Sequence, residues 1–152
     1  MTAAPLGMIA GSGDFPVDLA RRAAADGRAM HIVRLQGLAS PELDHLPGAT
    51  VPVGRFGAIV TSLKRAGCRE TLFAGKVMRP SLFQFRPDWL TLRALALMIS
   101  GTWRRDDALL RVIADVFETQ GISIVGPAQI WPDMLAPAGV LGAKTPTPGD
   151  LA

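Results

Sequence analysis

Apolar residues along this chain recur with two different periods, and the alternation between them lays out the architecture. Leu6-Gly7-Met8-Ile9-Ala10 is a short continuous apolar run closed by Gly11 and Gly13, as expected of a strand buried on both faces. Pro16 suits the first turn of a helix, where its missing N–H costs nothing. Leu19, Ala20, Ala23 and Ala24 then share one face of a helix over residues 17–25. Residues 30–35 read as a second strand. Residues 37–52 are rich in turn formers and predict a wandering connection, ending in a short extended piece over residues 50–53. Phe56, Ile59, Val60 and Leu63 recur at helical spacing within residues 56–66, Gly67 is a C-terminal stop, and residues 70–74 form the next strand.

The second half continues in the same way. Residues 88–99 read as a strongly apolar helix. Leu109, Val112, Ile113, Val116 and Phe117 line one face of the clearest helix in the chain, residues 107–119, with Gly121 just past its end. Residues 122–125 predict a further strand, and residues 128–135 a short helix broken at Pro132. Strands alternating with helices imply a Rossmann-like, doubly wound α/β fold, with a mainly parallel sheet and helices on both faces. Pro, Gly and Thr dominate from residue 136, so the domain is placed at residues 1–137 and the start of a linker at 138–152.

Composition narrows the ligand class. The chain has 152 residues, of which 49% are hydrophobic and 19% charged, ordinary values for a globular domain. A net charge of +3 suits a ligand with several phosphates, and it is too small and too scattered to argue for nucleic acid. Cys68, the single cysteine, excludes an intramolecular disulfide and reads as a small buried residue. His31 and His45 stand apart in sequence from each other and from Cys68, so no nucleophile–base pair, no zinc site and no catalytic residue is assigned. The N-terminus lacks a basic region followed by a long apolar run, and residues 89–99 fall well short of the roughly 20 apolar residues of a membrane span. A cytoplasmic protein is the expectation.

In parallel sheets of this kind, ligands bind outside the C-terminal ends of the strands. Two loops meet that description, residues 11–16 and 75–80. Gly11-Ser12-Gly13-Asp14-Phe15-Pro16 joins a strand to a helix, where backbone N–H groups attract an anion, and the whole loop is a candidate substrate-binding segment. The alternative is a tight turn that binds nothing. The loop half-resembles the dinucleotide fingerprint, but Pro16 replaces the third glycine and no acid follows the second strand, which weighs against NAD. Arg34 leaves an opening for a phosphorylated ribose, hence for an NADP-dependent oxidoreductase as a lesser alternative. Lys76 and Arg79, with Pro80 stiffening the chain, are candidate phosphate ligands in a region, residues 76–105, whose only acid is Asp88. Asp106-Asp107 suits either Mg²⁺ or the capping of the helix that follows. Residues 82–90 and 103–105 mix aromatics with arginines, which fits a lipid surface, a buried helix or an interface, including one with a second copy.

These residues together resemble a known family. Residues 6–16, Ala74-Gly-Lys-Val-Met-Arg-Pro80, Arg86-Pro-Asp88, Asp106-Asp-Ala-Leu-Leu-Arg111, Val125-Gly-Pro127 and Leu135-Ala-Pro-Ala-Gly139 are similar to the N-terminal domain of the LpxI-type UDP-2,3-diacylglucosamine pyrophosphatases. The resemblance implies metal-dependent hydrolysis of UDP-2,3-diacylglucosamine to lipid X and UMP in lipid A synthesis. It also implies Mg²⁺ or another divalent ion as cofactor, and peripheral contact with the inner membrane. Family members carry a second domain that holds the catalytic aspartate. The expectation is therefore a nucleotide-sugar-binding half, inactive alone, with a non-catalytic binding or interaction module as the alternative.

Overall fold

Leu6–Ala10 (β1) is buried at every position because strands flank it on both edges and helices cover it on both faces. The computed structural model describes residues 4–77, 87–100 and 107–134. Among them, β1, Met30–Leu35 (β2), Gly48–Val51 (β3), Glu70–Ala74 (β4) and Ser123–Ile124 (β5) form one parallel sheet in the order β3-β2-β1-β4-β5. The doubly wound expectation holds.

Alternation along the strands divides the core into two layers. Leu6, Met8 and Ala10 face one side with Ile32, Leu72 and Ala74, and Leu19, Ala20 and Ala23 of helix Phe15–Ala25 (α1) cover them. Ile9, Val33 and Leu35 face the other side. Ile59, Val60 and Leu63 of helix Phe56–Arg65 (α2) cover that layer together with Phe117 of helix Asp107–Thr119 (α4). Helix Trp89–Ser100 (α3) packs against α2 and α4, sending Leu90 into the same layer. A helix of four residues, Pro127–Ile130 (α5), and a 3-10 turn at Pro132–Met134 follow β5. Trp131 between them is 4% exposed and packs into the α1 layer.

Several boundaries differ from the sequence reading. β3 occupies Gly48–Val51, two residues earlier than expected, because pairing with Ile32 to Leu35 of β2 sets its register and Pro52 has no N–H for the ladder. β5 contracts to two residues at the sheet edge. α3 begins at Trp89, with Asp88 outside it as a cap. The 37–52 connection contains a 3-10 turn at Pro41–Leu43 that buries Leu43. The linker expected after residue 137 lies outside the described residues.

Candidate functional site

The strand order reverses between β1 and β4, since the chain runs outward from β1 to β2 and β3, then returns to β4 on the other side. A crevice opens at such a point, beyond the C-terminal strand ends. The two loops expected to bind ligand leave from these two neighbouring strands, and they lock together. The Ser12 amide donates to the Lys76 carbonyl at 2.9 Å, and the Lys76 amide donates to the Ser12 carbonyl at 2.9 Å. The Ser12 hydroxyl donates to the same Lys76 carbonyl at 3.0 Å, and the Gly11 amide donates to Ala74 O at 2.8 Å.

Glycine is needed on both sides of this clasp. A Cβ on Gly11 would lie 2.5 Å from the Lys76 carbonyl oxygen, and one on Gly75 would lie 2.6 Å from Ser12 O and 2.9 Å from Pro16 Cγ. Gly11 is thus small for the sake of the neighbouring loop, and the amides of Gly11 and Ser12 are spent on protein. Gly13, Asp14 and Phe15 are exposed, and their amides meet no acceptor among the described residues. Asp14 is the N-cap of α1 and makes no side-chain cap bond, while Pro16 is buried in the first turn. The open donors are therefore those of residues 13–15, at the positive end of a helix of 11 residues. Lys76, exposed, sits across the clasp, and Phe15 and Val77 give the mouth an exposed apolar rim. Arg79, Pro80 and Asp106 lie outside the described residues. Asp107 opens α4, and its side chain is likewise outside them.

The neighbouring helix α2 shows the contrary arrangement. Asp88 Oδ2 accepts the Ala58 amide at 3.2 Å, the Gly57 amide points to the same carboxylate, and Asp88 Oδ1 accepts the Thr91 amide at 3.0 Å. One carboxylate caps both α2 and α3. The buried Thr91 hydroxyl accepts the Phe56 amide at 3.0 Å and lies 2.6 Å from the Gly54 carbonyl, which takes its proton. Burial raises the Asp88 pKa, but the hydrogen bonds from Thr91, Ala58 and Gly57 outweigh it and hold the carboxyl below its ordinary range. The N-terminus of α2 already has its anion. At α1, Asp14 at the N-cap and Asp18 in the first turn are the acidic residues, but neither carboxylate is bonded to the open amides.

Two further sequence readings change. Arg34, expected to leave room for a phosphorylated ribose, is 8% exposed. Its guanidinium donates to Leu43 O at 2.9 Å, Leu46 O at 3.1 Å and Thr50 Oγ1 at 3.3 Å, with Asp44 at 3.7 Å. It clamps the β2–β3 connection and offers nothing to a nucleotide. His31 Nε2 stands 2.8 Å from Ser62 Oγ, a pairing across 31 residues that sequence reasoning missed. Burial first, and the Arg34 charge second, push the His31 pKa down. This pair lies near the start of β2, at the end of the sheet remote from the loops. Cys68 is buried, and burial pushes its thiol up, so it stays protonated and inert.

Fold and site together define a doubly wound α/β domain with a helix N-terminus whose first amides are open at its switch point. Its sequence matches the LpxI N-terminal domain family over residues 5–134, and the chain belongs to that family. It is 42% identical over 147 residues to the UDP-2,3-diacylglucosamine pyrophosphatase LpxI of Caulobacter vibrioides. The match covers 97% of this chain and 52% of that protein, so the chain spans about half the length of its relative.

Proposed function

We propose that this domain binds the diphosphate of UDP-2,3-diacylglucosamine at the mouth of α1, as the nucleotide-sugar-binding part of a pyrophosphatase that releases lipid X and UMP. The open amides of Gly13, Asp14 and Phe15 carry the proposal, because no carboxylate is hydrogen-bonded to them as Asp88 is to the first amides of α2. In this reading Lys76 adds the mobile cation facing the same mouth, and Arg79 adds a second from the 75–80 loop. Gly11, Ser12 and Pro16 hold the loop in shape.

The chain's own contribution is to bind and orient the diphosphate. The fixed amide dipoles neutralise charge with no reorganisation when the ligand arrives. A divalent metal, implied for the family, would polarise the phosphoryl oxygens. Among the described residues no three His, Cys, Asp or Glu side chains come together to hold a metal. In this reading Asp106 and Asp107 would hold Mg²⁺, which Mg²⁺ titration of the double Asp→Asn variant tests.

Calorimetry with UDP-2,3-diacylglucosamine tests the reading. Binding in the micromolar range, weakened at least about tenfold by K76A combined with R79A, is expected from the loss of two phosphate contacts. Binding of NADP in place of UDP-sugars, or of no nucleotide, would sink it. Turnover by these residues alone is expected to be negligible, and release of UMP at ordinary enzymatic rates would contradict that part. Trp89, 80% exposed on α3 beside exposed Leu92 and Arg93, supports peripheral contact with an anionic membrane. Co-sedimentation with anionic vesicles, reduced by W89S, tests that contact, and sedimentation without vesicles tests self-association. No described helix is long and apolar enough to cross a membrane.

A further inference from the structure

Lys76 is held in its place by a single residue on the other loop. It follows Gly75, whose φ of 85° lies in the region that favours glycine. Past the end of β4 the sheet ladder stops, and an isolated bridge to Ser12 takes over. The Lys76 amide donates to Ser12 O at 2.9 Å. The Lys76 carbonyl accepts both the Ser12 amide, at 2.9 Å, and the Ser12 hydroxyl, at 3.0 Å. Both lone pairs of that carbonyl are thus taken by one residue.

This arrangement decides what the Ser12 hydroxyl can do. A serine in a glycine-rich loop ahead of a helix is an obvious donor to a phosphate, beside the backbone amides. Here the hydroxyl turns into the neighbouring loop, and its one proton goes to Lys76 O. The open donors at the mouth are the amides of Gly13, Asp14 and Phe15, and the exposed cation across from them is Lys76. A lysine is a point charge on a flexible four-carbon stem. The volume its ammonium sweeps is set by how firmly the backbone at its root is fixed, and fixing it beforehand favours binding.

We infer that Ser12 is a positioning residue: its hydroxyl, bonded to the Lys76 carbonyl, holds the Lys76 ammonium toward the diphosphate and does not itself touch the ligand. The inference rests on the reading under Proposed function and adds the group that sets its nearest cation.

A double-mutant cycle by calorimetry with UDP-2,3-diacylglucosamine tests it, on the wild type, S12A, K76A and the combined S12A/K76A variant. S12A is expected to weaken binding by about three- to tenfold, the effect of one hydrogen bond, and K76A by at least as much. The combined variant is expected to bind within about twofold of K76A, because without the ammonium the hydroxyl has nothing to position. S12T keeps the hydroxyl and is expected to bind within about twofold of the wild type. Without ligand, the Lys76 amide is expected to exchange with solvent faster in S12A than in the wild type.

Losses that multiply in the combined variant would overturn the inference, since the hydroxyl would then touch the ligand or shape the open amides directly. Equal exchange rates for the Lys76 amide would overturn it as well. Unchanged affinity in either single variant would overturn it alone, because the amides at the mouth of α1 would still hold the ligand. A wild type that binds no UDP-sugar would overturn it together with the diphosphate reading.

Discussion

At the scale of single residues, the two glycines Gly13 and Gly75 have opposite neighbourhoods. Both have positive φ, 102° and 85°. A Cβ at 13 would meet nothing within 4 Å, whereas one at 75 would strike Ser12 O and Pro16 Cγ. Gly13→Ala is expected to cost about 1 kcal/mol, the conformational strain alone. Gly75→Ala adds a clash with backbone and is expected to cost about 2–4 kcal/mol. Urea unfolding of the two variants checks the ranking, and equal losses would refute the clasp. Gly11 shows where the sequence stopped being legible. A Gly-Ser-Gly turn between strand and helix announces an anion site, and the loop it marks leaves β1 at the switch point of the sheet. Which amides stay open depends on Lys76, a residue 64 positions away, and no local pattern encodes that contact.

At the scale of elements, most strands and helices were readable because buried faces impose their periods on the sequence. What escaped was the joining of elements. Pro52 could have marked the end of β3, while its start depended on register with β2. Asp88 reads from sequence as the first residue of a helix, yet it caps two helices at once, and the second comes 30 residues earlier in the chain. Asp88→Ala should therefore cost about 1–3 kcal/mol, more than one ordinary cap, and Asp88→Asn less, since an amide oxygen still accepts. The folded-state pKa is depressed, so this contribution is present above the unfolded carboxyl pKa and disappears as pH falls through the folded value. Acid titration of stability should show a shallower decline in Asp88→Asn than in the wild type. Parallel declines would mean that the carboxylate contributes nothing as an anion.

At the scale of the whole molecule, the domain is held at its two ends by different devices. The clasp between the β1 and β4 loops shapes the mouth of α1. The opposite end of α1 is fixed by the chain's last described turn: Trp131 Nε1 donates to Asp26 Oδ2 at 2.7 Å, and Arg22 bridges Asp26 and Asp133 at 3.2 and 2.8 Å. The Trp131 bond, foremost, holds the Asp26 carboxyl below its ordinary pKa, and the Arg22 contacts add to this against desolvation. Removing the indole opens a cavity beneath α1, so Trp131→Ala should cost about 3–5 kcal/mol. Trp131→Phe keeps most of the packing and deletes only the N–H, so its loss should be smaller. It should also be less sensitive to acid, because the Asp26 contribution it removes is one that fades as pH falls. Since Trp131 lies at the far end of α1 from the open amides, Trp131→Phe should leave nucleotide affinity unchanged while lowering the unfolding midpoint. A variant that bound UDP-sugars more weakly in proportion to its lost stability would show that the two ends of α1 are coupled, and the mouth could then no longer be treated as a preformed site.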